Sequence, residues 1–415
     1  MEKTVVPSFL KGEVLAPPSK SMTQRAIAAA LLSDAESTIL NPSGCEDSKA
    51  ALGIAASLGA EIQTGLKKLK LRGTGKLKEK KLYCGESGLA IRMFSPIAAL
   101  WPYTITISGS GSLRKRPMLM IENALRQLGV NCKSEGGYIP ITIKGPLKGG
   151  KCEVDGSISS QLLTGLLMAL PLAAEDSEIT VNNLKSKPYI DMTLQVLDKF
   201  GINIQNNNYT LFSIKGNQKY RGVSFEVESD WSGGSFLLVA AAVNGEVTVH
   251  GLRPDSRQSD KAILAALDSA GARMSIKENS VKISKSDLRS FKFDATESPD
   301  LFPPLAALAA YCNGVSVIKG VSRLLHKESD RANVLKEEFS KMKINIELKG
   351  DTMLVTGGEV TGARIDPRND HRIAMAAAVM ALRASDRVMI KDSYCVSKSY
   401  PEFFHDLRNL GASIY

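Results

Sequence analysis

No C-x-x-C pair occurs among the six cysteines of this 415-residue chain (Cys45, Cys84, Cys132, Cys152, Cys312 and Cys395). That spacing argues against a zinc site and against a disulfide framework, leaving reduced, buried thiols as the expectation. No apolar run of about 18 residues or more lacks charge, and no early apolar stretch follows a basic N-terminus. Membrane insertion and secretion are therefore not expected, and a cytoplasmic location is. H-E-x-x-H, G-x-S-x-G and G-x-G-x-x-G are missing from suitable contexts, which removes metalloprotease, hydrolase and Rossmann readings. The SGSGS run from Ser108 to Ser112 lacks the G-x-x-x-x-G-K-[ST] frame of a phosphate loop.

What the chain does have is basic charge and repetition. Its formal net charge of +10 raises the question of nucleic acid. The richest basic stretch, Lys67 to Lys81, alternates Lys with Leu around Gly73-Thr74-Gly75 and reads as an exposed hairpin, apolar on one face and lysine-rich on the other. No nucleic-acid partner is expected. Six amphipathic helical stretches end in a turn residue at Gly59, Gly129, Gly201, Gly271, Lys343 and Gly411, in steps of 129 − 59 = 70, then 72, 70, 72 and 68 residues. Only the fifth copy lacks glycine. Such a period exceeds the roughly 20 to 50 residues of common solenoid repeats, so each unit must be a small αβ assembly. A second series of six, beginning at Ser21, Ser87, Ser159, Trp231, Ser298 and Asp370, is apolar nearly all round and runs into β-branched residues. All-round apolar helices are buried helices. Each unit should then hold a buried helix, a strand, an outer helix and further strands. A chain of this length suggests two domains of about 200 residues, with three units in each.

The remaining charges gather at the starts of the buried helices: Lys20, Ser21 and Arg25 in PPSKSMTQR; Gly85, Gly88 and Arg92 in GESGLAIR; Ser159, Ser160 and Gln161; Asp300 in SPD; Asp370, His371 and Arg372 in NDHR. A helix start offers unpaired N–H groups and the positive end of the dipole, and therefore attracts anions. Several such starts in symmetric copies point to a substrate with more than one anionic group. Further cations lie in RKRP (Arg114, Lys115, Arg116), around Lys327, Glu328, Asp330 and Arg331, and at Lys398. Arg92 and Asp370 read equally as ligands or as ion-paired supports, Asp330 beside Arg331 as a local pair, and His371 as an orienting or packing residue.

Taken in order over essentially the whole chain, PSKSMTQRA, GESGLAIR, RKRP, VDGSISSQLLTGLLMALPLA, SKPYIDMTL, KESDR, NDHRIAMA and CVSKSYPEFF resemble the signature segments of the 5-enolpyruvylshikimate-3-phosphate synthase family. The resemblance implies an α/β fold, the two-domain inside-out α/β barrel built from six βαβαββ repeats. It places residues 1–18 with 229–415 in one domain and 19–228 in the other, with the active site in the interdomain cleft. A monomer is expected, closing when shikimate 3-phosphate binds first.

The implied reaction moves the enolpyruvyl group of phosphoenolpyruvate onto the 5-hydroxyl of shikimate 3-phosphate and releases phosphate. Together the two substrates carry roughly −5 to −6, which accounts for the many cations. By motif position, phosphoenolpyruvate falls to Lys20, Gly88, Arg116, Gln161, Arg331, Arg372 and Lys398. Shikimate 3-phosphate falls to Lys20, Ser21, Arg25, Ser159, Ser160, Gln161, Ser186, Tyr189, Asp300 and Lys327. The resemblance assigns Asp300 to the hydroxyl, Glu328 to the methylene and Lys20 to proton relay. Cations around the departing phosphate need no metal or other cofactor. A carboxylate among cations has a lowered pKa, so Glu328 needs partial burial to act as an acid.

Four residues depart from the family pattern. Glu86 stands where many relatives have Asn, Leu89 where they have Thr, Arg323 where Asn is common, and Trp231 where a small residue is usual. Glu86 either faces the phosphoenolpyruvate site or turns away to pair with an arginine, and with Leu89 it bears on glyphosate sensitivity. Two alternatives stand beside this reading: the sister enzyme acting on UDP-N-acetylglucosamine, whose mobile loop carries a cysteine that SGSGSLRKRP lacks, and a non-catalytic repeat protein.

Overall fold

The computed structural model describes every residue except Met1 and His326. The chain divides into two compact units, one formed by the stretch up to Pro17 with Ser229–Tyr415, the other by Pro18–Glu228. Each unit has its own apolar core.

The buried helices are where the all-round apolar segments fall. Pro18–Glu228 contains Lys20–Leu31, Gly88–Ala98 and Gln161–Ala169, the last running on into a 3₁₀ turn at Leu170–Leu172. The other unit contains Trp231–Asn244, Phe302–Ala309 and His371–Ala381. Every residue of Gly88–Ala98 and of His371–Ala381 is buried. Small residues let these helices approach closely: a Cβ on Gly165 would lie 2.6 Å from the Met93 carbonyl oxygen, so Gln161–Ala169 meets Gly88–Ala98 almost backbone to backbone.

Around them stand six four-stranded sheets among the described residues. In a complete repeat, Lys81–Tyr83 runs parallel to Thr104–Ser108, which pairs antiparallel with Tyr138–Lys144, itself paired with Asn131–Glu135. Gly150–Asp155, Ser177–Asn182, Leu211–Ile214 and Ile204–Asn207 repeat the arrangement. Three repeats borrow strands from distant chain. Leu10–Leu15 lies parallel to Gly245–His250, Lys3–Val6 sits between Val388–Ile390 and Ser413–Ile414, and Ser224–Glu226 lies parallel to Ser37–Leu40. Sheets outside and apolar helices within make this the inside-out α/β fold expected, built from βαβαββ repeats.

All six turn residues that close the outer helices are left-handed: φ is 105° at Gly59, 76° at Gly129, 82° at Gly201, 81° at Gly271, 62° at Lys343 and 104° at Gly411. Glycine reaches that region freely and lysine does not, so the geometry is imposed by the repeat even where the residue disfavours it.

The basic hairpin forms elsewhere than expected. Lys68–Gly73 turns back through Leu66 and Lys67 to pair with Ala60–Gly65, and no strand follows Gly75 until Lys81. Gly73 is instead pressed against the end of a buried helix, where a Cβ would lie 1.8 Å from the Leu31 carbonyl oxygen. Alternation still sorts the faces. Leu69 and Leu71 are buried, while Lys70 and Arg72 pair outside with Glu36 and Glu61, each at 2.7 Å.

Candidate active site

In the unit containing Ser229–Tyr415, one carboxylate collects three cations. Asp300 sits in the 3₁₀ turn Pro299–Leu301 that leads into Phe302–Ala309. Its Oδ1 accepts from Lys327 Nζ at 3.0 Å and from Arg331 at 2.9 Å, and its Oδ2 accepts from Arg372 at 3.1 Å. Arg331 begins the helix Arg331–Ser340 and has no exposed side-chain surface. Its Nε donates to Asp370 at 2.9 Å and one terminal nitrogen donates to Glu328 at 2.5 Å. Asp370 also caps His371–Ala381 by accepting from the Arg372 backbone N–H at 3.0 Å, and receives Ser329 Oγ at 3.1 Å. Arg372 donates to Ser232 Oγ in addition. Lys398, nearly buried, donates to the Asn369 carbonyl at 2.8 Å.

Asp370 is thus a support for Arg331. Asp330, read from sequence as a partner of its neighbour, instead accepts from Asn333, at 3.4 Å from the backbone N–H and 2.7 Å from the side chain. The capping geometry aims its carboxylate along the helix start rather than at Arg331. His371 is the first residue of its helix and is buried.

Burial and charge oppose one another throughout this cluster. At Asp300 burial favours the neutral acid, but Arg372, then Lys327 and Arg331, together outweigh it and hold the carboxyl well below the usual range. Lys327 is lowered, by burial first, with Asp300 resisting. Burial also works against the charge on Arg331, yet Asp370, Glu328 and Asp300 raise its pKa. A further acid, Asp260, is 2% exposed. Burial, reinforced by the Asp300 charge, pushes it up to about 6 against the opposing pull of Arg372 and a hydrogen bond with Ser232.

The unit Pro18–Glu228 carries the other expected residues in two groups and a pair. Gly88 opens its helix beneath a Ser87 cap, which accepts from Ala90 N at 3.2 Å. A Cβ on Gly88 would lie 2.6 Å from Arg116, 3.0 Å from Arg92 and 3.6 Å from Gln161 Oε1. Arg92 donates to Gln161 Oε1 at 2.8 Å, and Arg116 donates to Ser112 Oγ at 3.3 Å. Two nearly buried guanidiniums beside a helix start form an anion-attracting corner, with Leu89 buried next to it.

The second group surrounds Arg25, which is 1% exposed. It donates to Thr193 Oγ1 at 2.9 Å, to the Ser21 carbonyl at 3.0 Å, to the Tyr189 carbonyl at 3.2 Å and to Thr164 Oγ1 at 3.4 Å. Burial among neutral acceptors pushes it down to about 10, with Tyr189 acting the other way. Ser186 holds φ of 59° at the start of Lys187–Lys199, a strained position for serine. Ser159 Oγ accepts from the Gln161 N–H at 3.2 Å, and Ser160 precedes that helix. The pair is Lys20 with Asp47, 2.9 Å apart. Arg323 lies in the turn Val321–Leu324. Trp231 is fully buried and donates to the Arg253 carbonyl at 3.1 Å.

Sequence reasoning missed Asp47, Ser112, Ser232 and Asp260. Asp47 lies in the acidic first turn of the outer helix Glu46–Ser57, Asp260 in the 3₁₀ turn Ser259–Ala262, and Ser232 one residue beyond Trp231, none of them in the charged runs read at the starts of the buried helices. Asp260 stands in the polar run RPDSRQSDK, where one more acid carries no signal of its own. Among the described residues no group of three or more His, Cys, Asp or Glu could hold a metal ion, and no helix is long and apolar enough to cross a membrane.

The geometry has relatives. A 3-phosphoshikimate 1-carboxyvinyltransferase of Clostridium perfringens is 40% identical over 418 residues, covering 99% of this chain and 99% of that protein. One from Clostridium kluyveri is 38% identical, covering 99% and 97%. The solved EPSP synthase of Acinetobacter baumannii superposes with a TM-score of 0.84 at 26% identity, covering 100% of this chain and 99% of the other. Residues 6–407 match the family model described as EPSP synthase (3-phosphoshikimate 1-carboxyvinyltransferase), and the chain belongs to that family.

Proposed function

We propose that this chain is a transferase that moves the enolpyruvyl group of phosphoenolpyruvate to the 5-hydroxyl of shikimate 3-phosphate, giving 5-enolpyruvylshikimate 3-phosphate and phosphate in the shikimate pathway. The observation that carries the reading is Asp300 held among Lys327, Arg331 and Arg372, a carboxylate whose partners are all cations suited to a polyanionic substrate.

Gly88, Arg116 and Gln161 hold phosphoenolpyruvate, as do Arg331, Arg372 and Lys398. Ser21, Arg25, Ser159, Ser160, Ser186, Tyr189 and Lys327 hold shikimate 3-phosphate, and Lys20 touches both. In the first step the 5-oxygen bonds to C2 of phosphoenolpyruvate while C3 gains a proton. Asp300 takes the hydroxyl proton and Glu328 supplies the one to C3. In the second step C3 gives a proton back and the C2–O bond to phosphate breaks. Arginines drawn onto the incoming anion leave Asp300 less neutralised, which raises its basicity when it is needed. The cations stabilise charge on the departing phosphate. The enzyme works as a cytoplasmic monomer.

Phosphate release from phosphoenolpyruvate with shikimate 3-phosphate, and none with UDP-N-acetylglucosamine, is the expected outcome for the purified chain. Asp300→Ala should lower kcat by about 10²-fold or more while both substrates still raise the melting temperature. Release with the nucleotide sugar alone, or full activity in the variant, would overturn this reading.

A further inference from the structure

The loop that carries Arg116 is held from one side. Ser110 N–H donates to the Gly85 carbonyl at 2.8 Å, and Tyr83 OH donates to Ser110 Oγ at 2.8 Å. Glu86 Oε2 then accepts the Ser112 N–H at 3.0 Å, inside the 3₁₀ turn Gly111–Lys115 that ends at Arg116. That carboxylate lies flat against Gly111. A Cβ at residue 111 would fall 2.3 Å from Glu86 Cδ, and φ there is 54°, so glycine is required twice over. Ser112 also accepts from Arg116 at 3.3 Å, so the residue latched by its N–H is the one that orients the guanidinium with its hydroxyl.

We propose that Glu86 is a positioning residue for phosphoenolpyruvate binding, which latches the turn Gly111–Lys115 through the Ser112 N–H and so sets where Arg116 stands. The inference rests on the substrate assignment above. A carboxylate accepting a backbone N–H forms a charge-assisted bond, stronger than a neutral one, and here it fixes a surface turn on which Arg114 and Lys115 are exposed. The same carboxylate offsets part of the positive charge of the RKRP run, so its removal frees the turn and leaves three cations repelling one another.

The test combines kinetics with trypsin, which can cut after Arg114 and Lys115. Glu86→Ala should raise KM for phosphoenolpyruvate about tenfold, the effect of one hydrogen bond to a charged group, with KM for shikimate 3-phosphate unchanged. Cleavage in the turn should quicken by a similar factor. Glu86→Gln, which keeps an acceptor, should fall between. Gly111→Ala should reproduce the kinetic signature by displacing the carboxylate, and in Glu86→Ala/Gly111→Ala the combined effect should fall short of the product, because the clash is gone and only the left-handed backbone cost at residue 111 remains. If Glu86→Ala is too unstable to assay, Glu86→Gln and Gly111→Ala decide. An unchanged phosphoenolpyruvate KM with unchanged cleavage, or equal weakening of both substrates, overturns the proposal. Should the wild-type chain fail to turn over, the substrate assignment falls, and the cleavage rates alone judge the latch: no acceleration in Glu86→Ala refutes it.

Discussion

At the scale of single residues, small side chains decide how closely charged groups can gather. Gly88 leaves room for two guanidiniums where any side chain would intrude. Gly88→Ala places a methyl 2.6 Å from Arg116 and 3.0 Å from Arg92, both flexible tips that can retreat. The expected result is a folded enzyme with KM for phosphoenolpyruvate raised about tenfold and thermal stability within about 1 kcal/mol of wild type. Steady-state kinetics with melting curves checks it. Asp260 gives a pH dependence. Its ordinary value of 3.8 is pushed up to about 6, so between those values the folded chain keeps a proton that the unfolded chain has lost. Stability from this group therefore falls as pH rises from about 4 to 6. Asp300 acts in the opposite sense, stabilising above the ordinary carboxylate range and losing that contribution as pH drops through its depressed value. Asp260→Asn should lack the fall, so that the variant gains on wild type by an amount on the order of 2–3 kcal/mol across that window. Parallel urea-unfolding curves from pH 4 to 7 would sink this assignment.

At the scale of the element, the repeat dictates geometry that individual residues then accept or resist. Lys343 occupies the left-handed turn that glycine fills in the other five copies, and it is exposed. Lys343→Gly should therefore stabilise the chain by about 1 kcal/mol, read as a higher urea midpoint with unchanged activity. The buried helices were legible because apolar residues all round admit no solvent-facing side, and their starts were legible because Ser19, Ser87, Asp230 and Asp370 cap them through side-chain oxygens. The basic hairpin was less so. Glycines at 73 and 75 look like a turn, and only the helix end at Leu31 shows that Gly73 is small because backbone lies against it.

At the scale of the whole molecule, continuity of chain separates the two units. Pro18–Glu228 contains all the strands of its three sheets, whereas Ser229–Tyr415 needs Lys3–Val6 and Leu10–Leu15 to complete two of its own. A fragment of residues 18–228 should unfold cooperatively alone. A fragment of residues 229–415 should aggregate, since without Lys3–Val6 the strand Ser413–Ile414 loses its partner and without Leu10–Leu15 the strand Gly245–His250 becomes an open edge. Adding a peptide of residues 1–17 should restore a cooperative transition in circular dichroism, and a cooperative transition without it would contradict the argument.

The amino-acid sequence by itself determined the number of repeats, the burial of one helix in each and the residue types at the helix starts, because periodicity and capping are local properties. It also carried the family, through runs of charged and small residues that stand together along the chain. Tertiary structure alone decided which charges meet. Asp370 joins Arg331 across 39 residues, Asp300 joins Arg372 across 72, and Asp260 comes beside both Asp300 and Arg372 from a helix turn with no motif of its own. Those encounters set each pKa, since both burial and the distance to an opposite charge are properties of the folded chain and not of any segment within it.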